Sequence, residues 1–322
     1  MRRREFIALF GGAAVSWPLA ARAQQPATPV VGFLRSTTVA DSTHVVAAFR
    51  QGLKEAGFVE GESVAIEYRY ADNQVDRLPA LVADLIRRQV AVIVPNHDAA
   101  RAAKVATTTI PIVVATGGDP IKDGFVANLN RPGGNITGVV FFSENLGAKR
   151  LEILRQLVPN ATTIAMFATL STEGERSDVA AAAKAMGRQL IVLDIASSSD
   201  LEVAFKTSLQ RGANALLIGS GALISSNRER IVALAAHYRI AALYPLREFV
   251  SAGGLMSYGT SITEAYRQVG IYAGRILKGE KPGDLPVMQS AKFEFVINLK
   301  TAKALGFDIP PALLALADEV IE

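Results

Sequence analysis

The 322-residue sequence contains no cysteine. That absence removes a disulfide framework, a thiolate metal site, a cysteine nucleophile and the lipidated cysteine that anchors a bacterial lipoprotein. Histidine is almost as scarce: His44, His97 and His237 lie far apart and none opens an H-E-x-x-H motif, so a histidine metal site would need all three to converge. No G-x-S-x-G elbow, phosphate-binding G-x-x-x-x-G-K-[ST] loop or G-x-G-x-x-G fingerprint occurs, and no motif calls for a cofactor. Strong charge of one sign is lacking too. The formal net charge is +4, but Arg2, Arg3, Arg4 and Arg22 against Glu5 place most of it in the first 23 residues. The rest is close to neutral and carries no basic stripe interleaved with aromatics, which removes the electrostatic footprint of a nucleic-acid partner.

The opening segment MRRREFIALFGGAAVSWPLAARAQQ has a basic start, an apolar stretch from Phe6 to Ala14 and an Ala21-Arg22-Ala23 triplet before Gln24. That is the layout of a secretory signal ending in an A-x-A cleavage site. Arg3-Arg4-Glu5-Phe6-Ile7 resembles the twin-arginine export signal, although Arg2 and Ala8 depart from its preferred residues. General-pathway export is the alternative. Gly11, Gly12, Ser16 and Pro18 break a run already short of the ~20 apolar residues that a membrane span needs, and the mature chain is expected not to insert in a membrane.

From Pro29 onward, short β-branched runs alternate with longer stretches of helical period, the pattern of βαβ units with parallel sheets. Val30-Val31-Gly32-Phe33-Leu34 precedes a helix marked by Val45, Val46, Phe49 and Leu53. Strands follow at 64–70, 90–94 and 111–115, each apolar enough to be covered on both faces. After Arg131-Pro132-Gly133-Gly134-Asn135 the pattern restarts, with strands at 136–142, 163–167, 189–195 and 215–219. Two Rossmann-like α/β lobes are the simplest account. The segments at 241–244, 254–258 and 293–299 are too few for a third sheet and should complete the first two, so the chain crosses between lobes more than once. The expected division is 24–138 plus 250–285 for lobe 1 and 139–249 plus 286–322 for lobe 2, with crossovers near 135–142, 244–251 and 284–291. Such crossovers make a hinge, and the cleft beside it is the natural place for a ligand.

Small polar groups gather where strands end: Ser36, Asn96-His97-Asp98, Thr116 with Gly117-Gly118, Ser171 and Ser220. Hydroxyls and N-terminal amides suit a ligand carboxylate, and Asp98 or Glu248 can accept from a ligand ammonium. Each residue alone reads as readily as a helix cap or turn, and only their convergence argues for binding. His97 is equally a ligand contact or a capping-loop residue. Tyr244 and Glu248 join the candidates from the hinge side.

Tyr244-Pro245-Leu246-Arg247-Glu248-Phe249-Val250-Ser251-Ala252-Gly253-Gly254-Leu255-Met256-Ser257-Tyr258-Gly259 carries a more specific signal, continued in Arg275-Ile276-Leu277-Lys278-Gly279, Asp284-Leu285-Pro286-Val287 and Lys292-Phe293-Glu294-Phe295-Val296-Ile297-Asn298. With Ile110-Pro111-Ile112-Val113, Asp119-Pro120 and Pro132-Gly133-Gly134-Asn135-Ile136-Thr137-Gly138, the mature chain resembles the tryptophan-binding-protein-like family of ABC transporter periplasmic substrate-binding proteins. The resemblance implies a type I periplasmic-binding fold with three crossovers and closure around one small amino-acid-like or aromatic ligand. It also implies a soluble monomeric receptor in the periplasm, not an enzyme, with an ABC permease and ATPase as partner chains. Asn96-His97-Asp98 departs from the small residues expected at the second cleft loop, which leaves the ligand open. Two other classes compete: a ligand-sensing protein for a membrane receptor, which a neighbouring kinase gene would favour, and a cleft hydrolase, which lacks a recognisable base. The exported chain is expected to begin at Gln24, so mass spectrometry of periplasmic protein should find that N-terminus; retention of the arginines overturns the expectation.

Overall fold

The computed structural model describes residues 28–141, 146–169, 172–290 and 292–322, so the expected export signal at 1–23 lies outside the described residues. Lobe 1 is built on β1 (Val30–Arg35), β2 (Ala65–Tyr70), β3 (Val92–Pro95), β4 (Ile112–Thr116) and β5 (Ile136–Val140), extended at one edge by a two-residue strand, β11 (Met288–Gln289). The order is β11-β5-β4-β3-β1-β2 and every pairing is parallel. Helices α1 (Val39–Glu55) and α10 (Ile262–Leu277) cover one face, packing on Val31, Phe33 and Val113; α2 (Leu78–Arg87) and α3 (His97–Ala106) cover the other, packing on Leu34, Ile93 and Val114.

Lobe 2 contains β6 (Thr163–Ala168), β7 (Gln189–Asp194), β8 (Ala215–Ile218), β9 (Ala241–Tyr244), β10 (Met256–Thr260), β12 (Phe293–Asn298) and β13 (Glu319–Ile321), in the order β13-β12-β10-β9-β8-β6-β7. Only the β10–β12 pair is antiparallel. One face buries α4 (Gly147–Leu157), α5 (Glu173–Ala185), α11 (Leu299–Leu305) and α12 (Pro311–Leu316); the other buries α6 (Asp200–Gln210), α8 (Arg228–His237) and α9 (Arg247–Ser251). A one-turn helix, α7 (Ala222–Ser226), precedes α8. The result is two Rossmann-like lobes, as the alternating sequence pattern predicts.

The described chain passes between the lobes three times: from β5 to α4, from β10 to α10 and from β11 to β12. This corrects the expected division. Residues 250–260 belong to lobe 2, because β10 is hydrogen-bonded between β9 and β12, so the middle crossover sits at Thr260-Ser261 and not at 244–251. Residues 139–140 and 286–290 in turn belong with lobe 1, since β5 and β11 pair there. Two bonds lash the crossovers together: Thr260 Oγ1 donates to the Phe141 carbonyl at 2.7 Å and the Ser261 N–H to the Lys292 carbonyl at 2.9 Å. Ser261 also caps α10, accepting from the Glu264 N–H, just as Thr38 caps α1 by accepting from Asp41.

The α1–α10 contact depends on glycine. A Cβ on Gly52 would stand 1.8 Å from the Arg267 carbonyl oxygen, and one on Gly270 would stand 2.2 Å from that of Phe49. Helix propensity alone favours Ala over Gly by up to ~1 kcal/mol in a helix interior. Here the obstacle is backbone and cannot rotate away, so the helices must separate, at a cost of roughly 1–3 kcal/mol or more for overpacking. Gly52→Ala and Gly270→Ala should therefore each lower the melting temperature by several degrees; a melting curve shifted upward would mean that propensity wins and the helices yield freely.

Candidate functional site

In both lobes the carboxyl ends of the parallel strands point to the same cleft, about 430 Å³ in volume, which is where open α/β sheets place ligands. Lobe 1 contributes Arg35 from the end of β1, Asn96-His97-Asp98 after β3, Gly117-Gly118 after β4, and Asp41 and His44 from α1. Lobe 2 contributes Thr169, Ile195, Ser220-Gly221, Arg228, Leu246 and Glu248. Phe141, Ile262 and Tyr266 enter from the hinge side.

Of the candidates read from the sequence, Asn96, His97, Asp98, Ser220 and Glu248 line this cleft, and Ser36, Thr116 and Tyr244 do not. Ser171 lies outside the described residues. Ser36 is buried just behind the wall: its N–H donates to Asn96 Oδ1 at 3.0 Å, its hydroxyl donates to Asp98 Oδ2 at 3.2 Å, and it accepts from Asn96 Nδ2 at 2.8 Å. It orients the two neighbours that do face the cleft. Thr116 is fully buried and is corrected from ligand contact to support: its hydroxyl accepts from the Gly118 N–H at 3.1 Å and shares a 2.7 Å hydrogen bond with His97 Nδ1. Tyr244 is likewise corrected, for it belongs to the lobe 2 core, stacked on Phe249 with ring centroids 5.1 Å apart, and burial raises its phenol above the ordinary range.

Thr116, His97 and Asp123 form the nearest approach to a hydroxyl–imidazole–carboxylate set. Asp123 Oδ2 lies 3.7 Å from His97 Nδ1, the same nitrogen that Thr116 uses. A relay needs the hydroxyl and the carboxylate on opposite ring nitrogens, with the hydroxyl exposed to substrate. Neither condition holds here, and Arg101 occupies the other carboxylate oxygen at 2.8 Å. His237 is remote, on α8 against the Tyr238 ring, so the histidines do not converge on a metal site.

Two informative cleft residues, Arg35 and His44, went unread in the sequence, beside Glu248 and Ser220, which were read. Arg35 is 7 % exposed, donates to the Tyr266 hydroxyl and lies over that ring, with its Nε lacking any partner in the protein. Burial pushes its pKa down to about 10, still charged at neutral pH, with Tyr70, Asp98 and Asp41 opposing the fall. The signal was present: a charged residue closing the otherwise apolar strand VVGFLR. His44 Nε2 faces Glu248 Oε1 across the cleft at 3.5 Å, and burial, then Arg35 and Arg228, push its pKa down to about 4. Glu248 is partly buried, its Oε2 is shielded from solvent without a partner in the protein, and desolvation raises its carboxyl above the usual range. Ser220 Oγ is a third buried atom without a protein partner. Two further contacts tie lobe to lobe at the cleft: Arg228 to Asp41 at 2.7 Å and the Ser226 hydroxyl to Asn73 Oδ1 at 3.0 Å. These describe a closed arrangement.

Among proteins of known structure, the chain superposes on an ABC domain from Streptococcus pneumonia in complex with L-Trp with a TM-score of 0.83, at 24% identity, covering 91% of this chain and 100% of the other. A conserved domain protein from Vibrio cholerae matches at 0.82, also at 24% identity over 91% of this chain and 99% of that one. A ligand-free, open substrate-binding protein from Clostridium difficile matches at 0.67, with 22% identity over 91% of this chain and 99% of that one. A tyrosine-binding protein of Clostridioides difficile is 27% identical over 262 residues, 80% of this chain and 75% of the relative. The family model described as ABC transporter substrate binding protein matches residues 39–321, nearly the whole of the described fold. The chain belongs to the family of ABC transporter substrate-binding proteins.

Proposed function

We propose that this chain is the periplasmic receptor of an ABC importer and that it holds a small amino acid between its lobes, delivering it unchanged to a permease and ATPase supplied by other chains. It is exported by its N-terminal signal as a soluble, unlipidated monomer. In keeping with that, no helix among the described residues is long and apolar enough to cross a membrane. One observation carries the ligand reading: Arg35 Nε from lobe 1, and Ser220 Oγ and Glu248 Oε2 from lobe 2, are buried in the cleft wall without a protein partner. A buried polar group left unpaired costs ~1–3 kcal/mol, and a charged one more, so the cleft favours a solute of matching polarity. A guanidinium matches a carboxylate, a buried carboxylate matches an ammonium, and an α-amino acid offers both on adjacent atoms. The tyrosine and L-Trp in the names of the relatives support the same class of ligand.

Calorimetric titration with L-tryptophan and L-tyrosine tests this reading. Arg35→Met and Glu248→Gln each remove one charge-assisted hydrogen bond, worth ~1.5–3 kcal/mol, and should weaken binding about 10- to 100-fold. Tryptamine, without the carboxylate, should be indifferent to Arg35→Met; indole-3-propionate, without the ammonium, should be indifferent to Glu248→Gln. Wild-type protein that binds neither amino acid would overturn the assignment.

The same geometry fixes the sign of a pH effect. An ammonium is held by the ionised form of Glu248, and burial, the largest influence on that carboxyl, raises its pKa in the unliganded protein. As pH falls from about 7 to about 5, protons compete for the carboxylate and affinity should fall with them. His44, held down to about 4, stays neutral through that window and adds nothing to the slope. In Glu248→Gln the slope should vanish; a slope that survives the substitution assigns the proton elsewhere.

A further inference from the structure

The most completely buried ion pair in lobe 2 does not face the cleft. Arg150 of α4 and Glu175 of α5 are 1% and 0% exposed and hydrogen-bonded to each other. Each reaches past its partner to the backbone at the end of β8: Arg150 Nη1 donates to the Ile218 carbonyl at 3.2 Å, and the Ser220 N–H donates to Glu175 Oε2 at 2.9 Å. The strap 219–221 is constrained from its other sides as well. The Gly219 N–H donates to the Phe167 carbonyl at 2.8 Å, a Cβ on Gly219 would stand 2.6 Å from that same oxygen, and Gly221 holds φ at +132°.

We infer that Arg150 and Glu175 are positioning residues for the ligand site, holding the Ser220 backbone from behind so that its hydroxyl faces the cleft. Burying both charges is costly, and replacing such a pair with apolar groups of similar volume is often neutral or stabilising. A pair serving stability alone therefore has little reason to be charged. Here the charges do something an apolar pair cannot: they accept one backbone N–H and donate to one backbone carbonyl on either side of Gly219. Ser220 Oγ, buried and without a protein partner, is the atom whose placement results. A shift of a few tenths of an ångström in the strap would cost the hydroxyl its hydrogen bond to a ligand.

This rests on the cleft being the amino-acid site, and the test separates the two ideas. Glu175→Gln retains an acceptor but alters the pair, and Arg150→Met with Glu175→Leu replaces the pair by apolar groups. Both are compared with wild type and Ser220→Ala by titration with L-tryptophan and L-tyrosine, by thermal melting, and by hydrogen exchange at the Ser220 and Gly221 amides. The doubly substituted protein should exchange the Ser220 amide at least tenfold faster and bind about tenfold more weakly, with at most a modest fall in melting temperature from the Ser220 N–H and Ile218 carbonyl that lose their side-chain partners. Adding Ser220→Ala to it should weaken binding no further, because both changes remove the same contact. Wild-type affinity, or unchanged exchange at Ser220, overturns the positioning role. If wild type binds neither amino acid, the ligand reading fails and the exchange rate alone decides the positioning role. Should the apolar pair fail to fold, Glu175→Gln, whose neutral amide accepts more weakly from the Ser220 N–H, should shift Ser220 exchange and binding in the same direction by a smaller factor, and wild-type values of both would overturn the positioning role.

Discussion

Arg35, buried, and Glu248, partly buried, are ionisable groups on opposite sides of one cleft, and each has an atom shielded from solvent without a protein partner. Desolvation dominates both: it pulls the guanidinium down to about 10 and pushes the carboxyl up. Charges in such places persist only where something of opposite sign approaches. In lobe 1 that something is partial, since Tyr266 offers a hydroxyl and a ring face, and Asp98 and Asp41 a more distant field. In lobe 2 the Glu248 carboxyl faces a neutral imidazole from His44, and its own backbone with the more distant charges of Arg247 and Arg228 offsets only part of the effect of burial. Each lobe thus carries an electrostatic deficit that the other lobe alone does not remove, and a zwitterion between them removes both at once.

Closure has its own protein contacts, Arg228–Asp41 and Ser226–Asn73, and these set the scale on which a ligand must act. Partly exposed ion pairs contribute ~0–1 kcal/mol, so a latch of this kind holds the lobes together only weakly. A ligand shifts the balance by as much as it binds the closed form better than the open one. On the proposed amino-acid reading, two charge-assisted contacts, one per lobe, would outweigh one such ion pair.

Local pattern made the strands and most helices legible, because apolar runs such as VVGFLR, VIVP and IVVAT are long enough to demand two covered faces. It did not reveal which sheet each late strand joins. Residues 254–258 read as a strand of lobe 1, and only hydrogen bonds to β9 and β12, from different parts of the chain, place it in lobe 2. α10 stayed hidden for a related reason: Gly270 and Gly274 weaken a helical pattern, yet they are there because α1 approaches too closely for a Cβ. At the site, position at a strand end was readable and direction was not. Thr116 and Tyr244 both end strands beside the cleft but turn into the protein, whereas Arg35, at the end of a strand read as purely apolar, turns toward it.

α10 connects the hinge to the charge it serves. It begins at the middle crossover with its cap on Ser261, and one turn later it presents Tyr266 to Arg35. Were α10 loosely held, every bend at Thr260-Ser261 would move Tyr266 and with it the guanidinium. The glycine contacts prevent this by seating α10 backbone-to-backbone on α1, the helix that also carries Asp41 and His44. Close-packed interfaces of that kind transmit displacement and resist gradual deformation. Arg35, Asp41, His44 and Tyr266 are therefore carried on one tightly packed unit, the end of β1 with α1 and α10, and that unit meets lobe 2 through the three connections between the lobes.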